Sequence, residues 1–294
     1  MRLASLRVSG AEVLAIVAGD EWVAAVDLLP DGARTMTDLI ARGPIAVEAL
    51  GRAAATPAIA GRGRSMADAE VLAPVPRPGK IVAIGRNYRE HATEEGVEPP
   101  AAPLIFAKWP SSVVGPGAEI RWDPALTTQV DYEAELAVVI GRRARQIDRA
   151  DALDYVFGYT CLNDVSARDI QFGDGQWVRG KSLDTFCPMG PVLVTADEIG
   201  DPQDLEISCT VGDERLQEAR TSAMYFGIAE IISYCSRSFT LEPGDVIATG
   251  TPGGVGVFRK PPRFLGDGDR VAVEIERIGR LENTCRHAPA EVAA

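Results

Sequence analysis

The segment Asp131–Ile140 constrains the fold of this chain more than any other stretch of its sequence. Apolar residues occupy every second position from Tyr132 to Ile140, and acidic residues stand at 131, 133 and 135. Such alternation predicts a β-strand. Side chains two residues apart on a strand point the same way, ~6.5–7 Å apart, so two carboxylates can converge on one cation. A half-buried strand with a solvated acidic face is the alternative.

A third carboxylate favours the cation site. The next predicted strand is Val156–Leu162, and Asp164 follows it after one residue, Asn163. If the two strands are neighbours, Asp164 completes a set of three oxygen ligands with Glu133 and Glu135. Mg²⁺ or Mn²⁺ suits such a set, with water or substrate in the remaining positions.

Composition excludes other kinds of site and partner. The chain has only two histidines, His91 and His287, too few for the imidazole-rich zinc and iron sites. Its five cysteines form no C-x-x-C pair, which gives no sign of a zinc knuckle or a disulfide framework. With 42 acidic against 30 basic residues, the net charge of −12 is a poor match for nucleic acid or anionic lipid.

The sequence also predicts a cytoplasmic location. Charged residues interrupt the first residues before any apolar stretch could act as a signal peptide. No run of about 18 apolar residues occurs, so we expect no transmembrane helix and no membrane partner.

Prolines divide the chain into two predicted parts. The stretch Leu72–Gly79 has three prolines within five residues and reads as a linker, which predicts a small N-terminal domain, 1–72, and a catalytic domain, 73–294. In the first part we predict strands at 2–8 and Glu21–Leu29, a turn at Gly19-Asp20, a helix capped by Thr37 and a second helix over Ile45–Ala55.

The second part is predicted to be mostly β. The clearest helix is expected from Ser222 to about Ser236, because apolar residues mark one of its sides. The predicted strands are Lys80–Ile84, Pro103–Lys108, Tyr132–Gly141, Val156–Leu162, Val192–Thr195, Leu205–Val211, Asp245–Thr249 and Arg270–Ile275.

His91 is a candidate general base. It lies between Gly85 and Gly96, and Pro99-Pro100 follows, a pattern that fits a short mobile lid. On a helical turn His91 and Glu94 are three residues apart and can meet. A carboxylate that orients an imidazole makes a general base near neutral pH. An exposed, solvated histidine is the alternative.

Two glycine-rich segments are weaker signals. Gly175–Ser182 fits the phosphate-loop pattern, but the preceding residues favour a helical turn and no helix can continue through the following prolines, so we reject a nucleotide site. Within it, Lys181 remains a candidate donor to an oxyanion. Gly250–Gly256 is rich in backbone donors and can hold a carboxylate or phosphate, or can be an ordinary turn.

Together these segments resemble the fumarylacetoacetate hydrolase family, specifically its smaller, three-carboxylate members. The resemblance covers roughly residues 70–285 and rests on six landmarks in order: Ile84–His91, Glu133–Gly141, Asn163–Gln171, Gly175–Trp177, Gly180–Ser182 and Pro243–Pro252. It implies a mixed, β-rich α+β fold, a fumarylacetoacetase C-terminal-like β-roll with a small N-terminal α+β domain, assembled as a homodimer.

The resemblance also implies roles for nine residues. The metal ligands, for Mg²⁺ or Mn²⁺, would be Glu133, Glu135 and Asp164, the catalytic residues would be His91, Glu94 and Lys181, and the substrate contacts would be Arg168, Gln171 and Thr251. Glu95 is the alternative to Glu94 as the acid that orients His91, since the two are adjacent in the sequence. Larger fumarylacetoacetases supply a fourth acidic ligand, whereas Gly85–Tyr88 has no acid, which argues against fumarylacetoacetate as substrate.

The implied reaction is hydrolysis of a C–C bond in a 2,4-dioxo acid such as an acylpyruvate, through a metal-stabilised enolate. His91, oriented by Glu94, would activate water, and Lys181 would offset charge on the developing oxyanion. The same metal site also serves an oxaloacetate decarboxylase or a hydroxymuconate-type isomerase, and a scaffold without activity is a further alternative. His91 with Glu94 favours hydrolysis.

Overall fold

The computed structural model describes residues 1–55 and 62–289. Its helices are α1 (Ala25–Leu28), α2 (Met36–Arg42), α3 (Pro44–Ala54), α4 (Arg89–Glu95), α5 (Arg168–Asp174), α6 (Val178–Lys181), α7 (Ala196–Ile199) and α8 (Ile228–Ser238). Its strands are β1 (Arg2–Val8), β2 (Ala11–Ala18), β3 (Glu21–Ala24), β4 (Arg64–Ser65), β5 (Glu70–Val71), β6 (Ile81–Gly85), β7 (Leu104–Lys108), β8 (Val113–Val114), β9 (Glu119–Trp122), β10 (Val130–Asp131), β11 (Ala134–Ile140), β12 (Val156–Asn163), β13 (Ser166–Ala167), β14 (Cys187–Thr195), β15 (Glu206–Val211), β16 (Glu214–Arg220), β17 (Val246–Ala248), β18 (Arg270–Ile275) and β19 (Gly279–His287).

A large mixed sheet dominates the described residues. Its strand order is β4-β3-β2-β1-β14-β12-β11-β17-β6-β7, with β5 against β1 and β8 against β14. A second sheet has the order β16-β15-β18-β19-β9, and β10 pairs with β13 in a short ribbon. All eight strands predicted after the linker are present, with boundaries shifted by a few residues.

The centre of the large sheet is buried on both faces. Along β11, the side chains of Leu136 and Val138 enter one hydrophobic cluster, whereas those of Ala137 and Val139 enter another. Every residue of β11 is buried. A solvated acidic face, the alternative that the alternating pattern allowed, is therefore wrong for this strand.

The N-terminal predictions need three corrections. The strand predicted over Glu21–Leu29 ends at Ala24 and continues as helix α1. The cap of α2 is Thr35, whose hydroxyl accepts a hydrogen bond from the Asp38 N–H at 3.2 Å, and not Thr37. Strand β2 was not predicted, because its alanines give little β-propensity, yet it pairs with β1 along almost its whole length.

The N-terminal strands join the catalytic sheet. The register of β1 sets Leu3 opposite Leu193 of β14, so both predicted parts contribute to one hydrogen-bonded sheet. The division of the chain near residue 73 stays a prediction.

The predicted helix Ser222–Ser236 begins later than expected, at Ile228. The preceding residues are tied to the candidate lid instead. Tyr225 N–H donates to the carbonyl of Asn87 at 2.8 Å, and Met224 forms a β-bridge with Tyr88. These long-range contacts replace the first turns of the helix.

Candidate active site

The ends of two neighbouring strands bring three carboxylates together. Strands β11 and β12 are antiparallel, and the Asp164 N–H donates to the Glu133 carbonyl at 2.9 Å just beyond the ladder. The predicted adjacency of the two strands is thus confirmed. One oxygen from each of Glu133, Glu135 and Asp164 lies within 4.8 Å of the others. All three are buried, with at most 4% of each residue exposed.

Two buried cations contact this cluster from the pocket side. Lys181, at the end of α6, has its Nζ 2.7 Å from Glu133 Oε2 and 2.9 Å from Asp164 Oδ2. Arg168, the first residue of α5, lies 2.8 Å from Glu133 Oε1 and 2.8 Å from Asp131 Oδ2. Burial opposes ionisation of Glu133, but Lys181 and Arg168 outweigh that effect and lower its pKa to about 2.

A third cation was not anticipated from the sequence. Lys108, the last residue of β7, is 1% exposed, and its Nζ lies 2.6 Å from Asp164 Oδ1. It also donates to the carbonyls of Val165 at 3.3 Å and Lys181. The available signal was a lysine that directly follows an apolar strand segment, Leu104–Ala107, and such a lysine is ordinarily exposed.

Among the described residues, no cation forms an ion pair with Glu135. Within the described residues its carboxylate accepts one hydrogen bond, from the Gly250 N–H at 2.8 Å. Burial, together with the charges of Asp164 and Glu133, raises its pKa well above the usual range. A divalent cation would compensate this carboxylate, and three carboxylates are the oxygen ligands that Mg²⁺ and Mn²⁺ prefer. The residues present therefore fit such an ion.

The Gly250–Gly256 loop binds carboxylates, but they are the protein's own. At Gly254 the backbone has φ +97°, and a Cβ would lie 2.1 Å from the Leu216 carbonyl oxygen, so only glycine fits. Three N–H groups of the loop donate to acids of the site: Gly250 to Glu135 at 2.8 Å, Gly254 to Glu94 at 2.7 Å and Gly256 to Asp131 at 2.8 Å.

His91 is buried beside the carboxylates and is not a solvated surface residue. It lies on α4 with 7% of its surface exposed, and its ring centroid is 6.1 Å from that of Phe258. Its Nδ1 is buried without a hydrogen-bond partner among the described residues. Burial lowers the pKa of His91, partly opposed by the charge of Glu133, which favours a neutral imidazole.

The two candidate acids of the lid point to different places. Glu94 accepts from the Gly254 N–H at 2.7 Å, and burial raises the pKa of its carboxyl group. Glu95 instead lines the same cavity as His91 and pairs with Arg86. In this conformation no hydrogen bond joins His91 to Glu94 in the described part of the chain. The role of Glu94 in a dyad stays a prediction.

The remaining predicted residues meet at one small cavity. Arg168 donates to Gln171 Oε1 at 3.0 Å, and Thr251 Oγ1 accepts from Gln217 at 2.8 Å. The predicted residues that line the cavity are His91, Glu133, Glu135, Arg168, Gln171, Lys181 and Thr251. The other two predicted residues adjoin this cavity: Asp164 contacts Lys181, and Glu94 is bound by the Gly254 N–H. All nine predicted residues, from 91 to 251, are therefore close together.

Residues 80–286 match the family described as fumarylacetoacetate (FAA) hydrolase C-terminal. Because that match covers most of the chain, the protein belongs to the fumarylacetoacetate hydrolase family and is an enzyme of that family. The sequence-based resemblance is confirmed.

Two relatives at high identity are named for the same reaction. The chain is 46% identical over 254 residues to the mitochondrial oxaloacetate tautomerase FAHD2B of Bos taurus, covering 85% of this chain and 79% of that one. It is 47% identical over 222 residues to the oxaloacetate tautomerase YisK of Bacillus subtilis, covering 74% of each. Both names concern keto–enol conversion of oxaloacetate by those proteins.

Solved structures confirm the β-rich α+β fold. A fumarylacetoacetate hydrolase from Exiguobacterium antarcticum is 36% identical with a TM-score of 0.85, covering 98% of this chain and all of that one. A maleylpyruvate hydrolase from Sphingobium sp. SYK-6, in complex with manganese(II) and pyruvate, is 32% identical with a TM-score of 0.78 and the same coverage. Among the described residues, no helix has the length and apolar character to cross a bilayer.

Proposed function

We propose that this protein is a divalent-metal-dependent tautomerase that interconverts the enol and keto forms of oxaloacetate. The observation that carries the proposal is the position of His91. Its imidazole is buried in the same cavity as Glu133, Glu135 and Lys181, and its Nδ1 is free of other partners among the described residues. The names of the relatives at 46% and 47% identity support the same reaction.

Glu133, Glu135 and Asp164 would hold the metal. When bound, a Mg²⁺ or Mn²⁺ ion supplies Lewis-acid polarisation of the keto group of a 2-oxo acid. The under-compensated Glu135 favours binding of such a cation, and the manganese-bound relative supports the choice of ion. Lys181, already beside Glu133 and Asp164, would offset negative charge on the oxygen of the enolate.

His91 would move the proton. Tautomerisation takes a proton from C3 of oxaloacetate and returns one to the enol oxygen, so a single base that is neutral at working pH can serve both transfers. Burial lowers the pKa of His91 and so favours the neutral imidazole, the form that can accept a proton. No water needs to be activated in this reaction.

That last point separates tautomerisation from hydrolysis. Hydrolysis requires a positioned base that removes a proton from water. The sequence predicts that His91, oriented by Glu94, is this base. Glu94 is instead hydrogen-bonded to the Gly254 N–H. The conformation seen here therefore supports proton transfer to and from the substrate more directly than water activation.

The test is the decay of enol-oxaloacetate, followed by its ultraviolet absorbance with Mn²⁺ or Mg²⁺ present. We expect His91→Gln to lower kcat by about 10²- to 10⁴-fold, the usual contribution of a general base. His287→Gln is the matched control, because His287 is the other histidine of the chain and packs on Trp122 through ring contact. Equal activity of the wild type and His91→Gln would refute the proposal.

Acylpyruvate hydrolysis is the second candidate, favoured by the place of Glu94 on the same short helix as His91. Parallel assays for carbon dioxide and for a second carboxylic acid would reveal decarboxylation or hydrolysis. If hydrolysis is the main activity, Glu94→Gln should abolish acid release, whereas tautomerisation should survive that substitution. A homodimer that binds small 2-oxo acids is part of the same proposal, and analytical ultracentrifugation would establish its state.

A further inference from the structure

A second ion pair lies at the same cavity, away from the carboxylate cluster. Arg86 follows β6, Glu95 is the last residue of α4, and both line the cavity. Arg86 Nε donates to Glu95 Oε2 at 2.7 Å, and a second, parallel bond joins its Nη2 to Glu95 Oε1. The side chains are 29% and 17% exposed, so the pair borders both the cavity and solvent.

We propose that Arg86 is the specificity-determining residue for the second carboxylate of a four-carbon dicarboxylic 2-oxo acid. The incoming carboxylate would replace Glu95 as the partner of the Arg86 guanidinium. This inference rests on the proposed function and extends it, because it explains how a dicarboxylate is distinguished from a 2-oxo acid with an uncharged end.

The other cations that line the cavity are already committed to the carboxylate cluster. Lys181 contacts Glu133 and Asp164, whereas Arg168 contacts Glu133 and Asp131. These contacts fix the two cations at the end of the cavity where the metal would bind. Arg86 differs, since its partner belongs to the lid helix and to no strand of the site.

An aromatic platform holds Arg86 in place. Its Cζ lies 5.5 Å from the ring centroid of Trp177, and Trp177 meets Phe106 edge-on at 5.3 Å. A Cβ on Gly85 would lie 2.5 Å from the Trp177 ring, so glycine at this position is what allows the ring to pack here. Phe106 also contacts Lys181 Nζ at 5.3 Å. One pair of rings therefore lies beneath both cations, which fits a ligand charged at each end.

The backbone also fixes the direction of Arg86. Its φ is +56°, in the left-handed region that a non-glycine residue adopts only when its surroundings hold it there. The neighbouring Asn87 supplies that hold, because its side chain donates to the Thr249 carbonyl at 2.7 Å and to the Phe226 carbonyl at 3.1 Å. Arg86 is thus presented on a rigid strand end, and Glu95 on a short helix.

Exchange of one carboxylate for another keeps the charge of the pair constant. Arginine binds carboxylates through two parallel N–H donors, and that geometry is already present toward Glu95. A substrate carboxylate can take over both bonds. Glu95 adjoins Gly96, whose left-handed conformation ends the helix, so release of Glu95 would free this end of the lid. Binding of a dicarboxylate and movement of the lid would then be coupled.

The test uses two non-reacting ligands that differ only at the far end. L-Malate carries a distal carboxylate where 2-hydroxybutanoate carries a methyl group. Dissociation constants are measured by calorimetry on the Mn²⁺-loaded enzyme. We expect Arg86→Met to raise the Kd of malate by about 10- to 100-fold, the loss of a charge-assisted bond, and to leave that of 2-hydroxybutanoate within about twofold. Arg89→Met is the matched control, because Arg89 is exposed at the start of the lid helix α4, three residues after Arg86, and contacts Tyr225.

Two further outcomes decide the inference. Glu95→Gln should tighten malate binding, and it should have no such effect in the Arg86→Met background, since the competitor matters only when Arg86 is present. Equal losses for both ligands, or no loss for malate, would overturn the role of Arg86. Because neither ligand reacts, these results are independent of turnover. Failure of the wild type to tautomerise oxaloacetate would instead overturn the proposed function and leave the selectivity of binding intact.

Discussion

Replacement of Lys108 by methionine removes the most deeply buried charge that supports the carboxylate cluster. Methionine keeps an unbranched apolar side chain that is one heavy atom shorter, but not the three hydrogen bonds of Lys108, to Asp164 Oδ1 at 2.6 Å and to the carbonyls of Val165 and Lys181. Both side chains of the Lys108–Asp164 pair have zero exposure, so solvent screens little of the interaction. Loss of one partner of a buried pair costs about 3–5 kcal/mol, and we expect that loss in the free energy of unfolding of the metal-free protein.

The same substitution should weaken metal binding. Asp164 would lose the contact that fixes one of its oxygens, and loss of such a supporting contact typically costs about 10- to 100-fold in metal affinity. Urea denaturation reports the first effect, and paramagnetic resonance of free Mn²⁺ reports the second.

Lys80→Met is the control for removal of a lysine from an ion pair. Lys80 Nζ lies 2.5 Å from Asp245 Oδ2. The Lys80 side chain is 37% exposed, and the buried Asp245 carboxylate keeps two backbone N–H donors, of Lys80 and Glu242, so the expected loss is only about 1 kcal/mol. If Lys108→Met and Lys80→Met lowered stability equally, and Mn²⁺ affinity were unchanged, the supporting role of Lys108 would be wrong.

Three other predictions follow from the site. Glu135 has a pKa well above the ordinary value and must lose its proton to bind metal, so Mn²⁺ affinity should rise with pH and Mn²⁺ binding should release protons. Calorimetry in buffers of different ionisation enthalpy measures this proton release, and Glu135→Gln should abolish it. Burial raises the pKa of Glu94 above 4.5, so this group stabilises the fold at low pH and loses that contribution as pH rises through its folded pKa. In thermal melts, Glu94→Gln should therefore be more stable than the wild type at pH 8 but not at pH 4. Gly254→Ala places a Cβ 2.1 Å from a carbonyl oxygen at φ +97°, and we expect a lower melting temperature and a changed Glu94 environment, whereas Gly175→Ala, with open space around it, should be milder.

Much of the carboxylate cluster could be predicted from local patterns. Alternation placed Glu133 and Glu135 on a strand, and the position of Asp164 after the next strand suggested that the three would meet. Antiparallel pairing of β11 with β12 brings them together for that reason. The resemblance to a family then supplied the expected role of Arg168, which spacing alone could not.

Contacts between distant parts of the chain explain what could not be predicted. Lys108 is buried only because Asp164, 56 residues later, supplies a counter-charge. The different positions of the Glu94 and Glu95 carboxylates depend in part on Gly254, 160 residues after Glu94, whose N–H binds Glu94. Likewise β16 was not predicted, because its charged sequence has little β-propensity; it forms an edge strand by pairing with β15.

The most direct test of a metal-assisted proton transfer is tautomerase activity measured on one preparation before and after removal of its metal. Metal content is determined in each sample by mass spectrometry. We expect enol-oxaloacetate decay to fall to the uncatalysed rate in the stripped protein, and to return in proportion to added Mn²⁺ up to one ion per chain. Undiminished activity in a sample shown to contain no divalent metal would contradict the assignment of Glu133, Glu135 and Asp164 as a catalytic metal site.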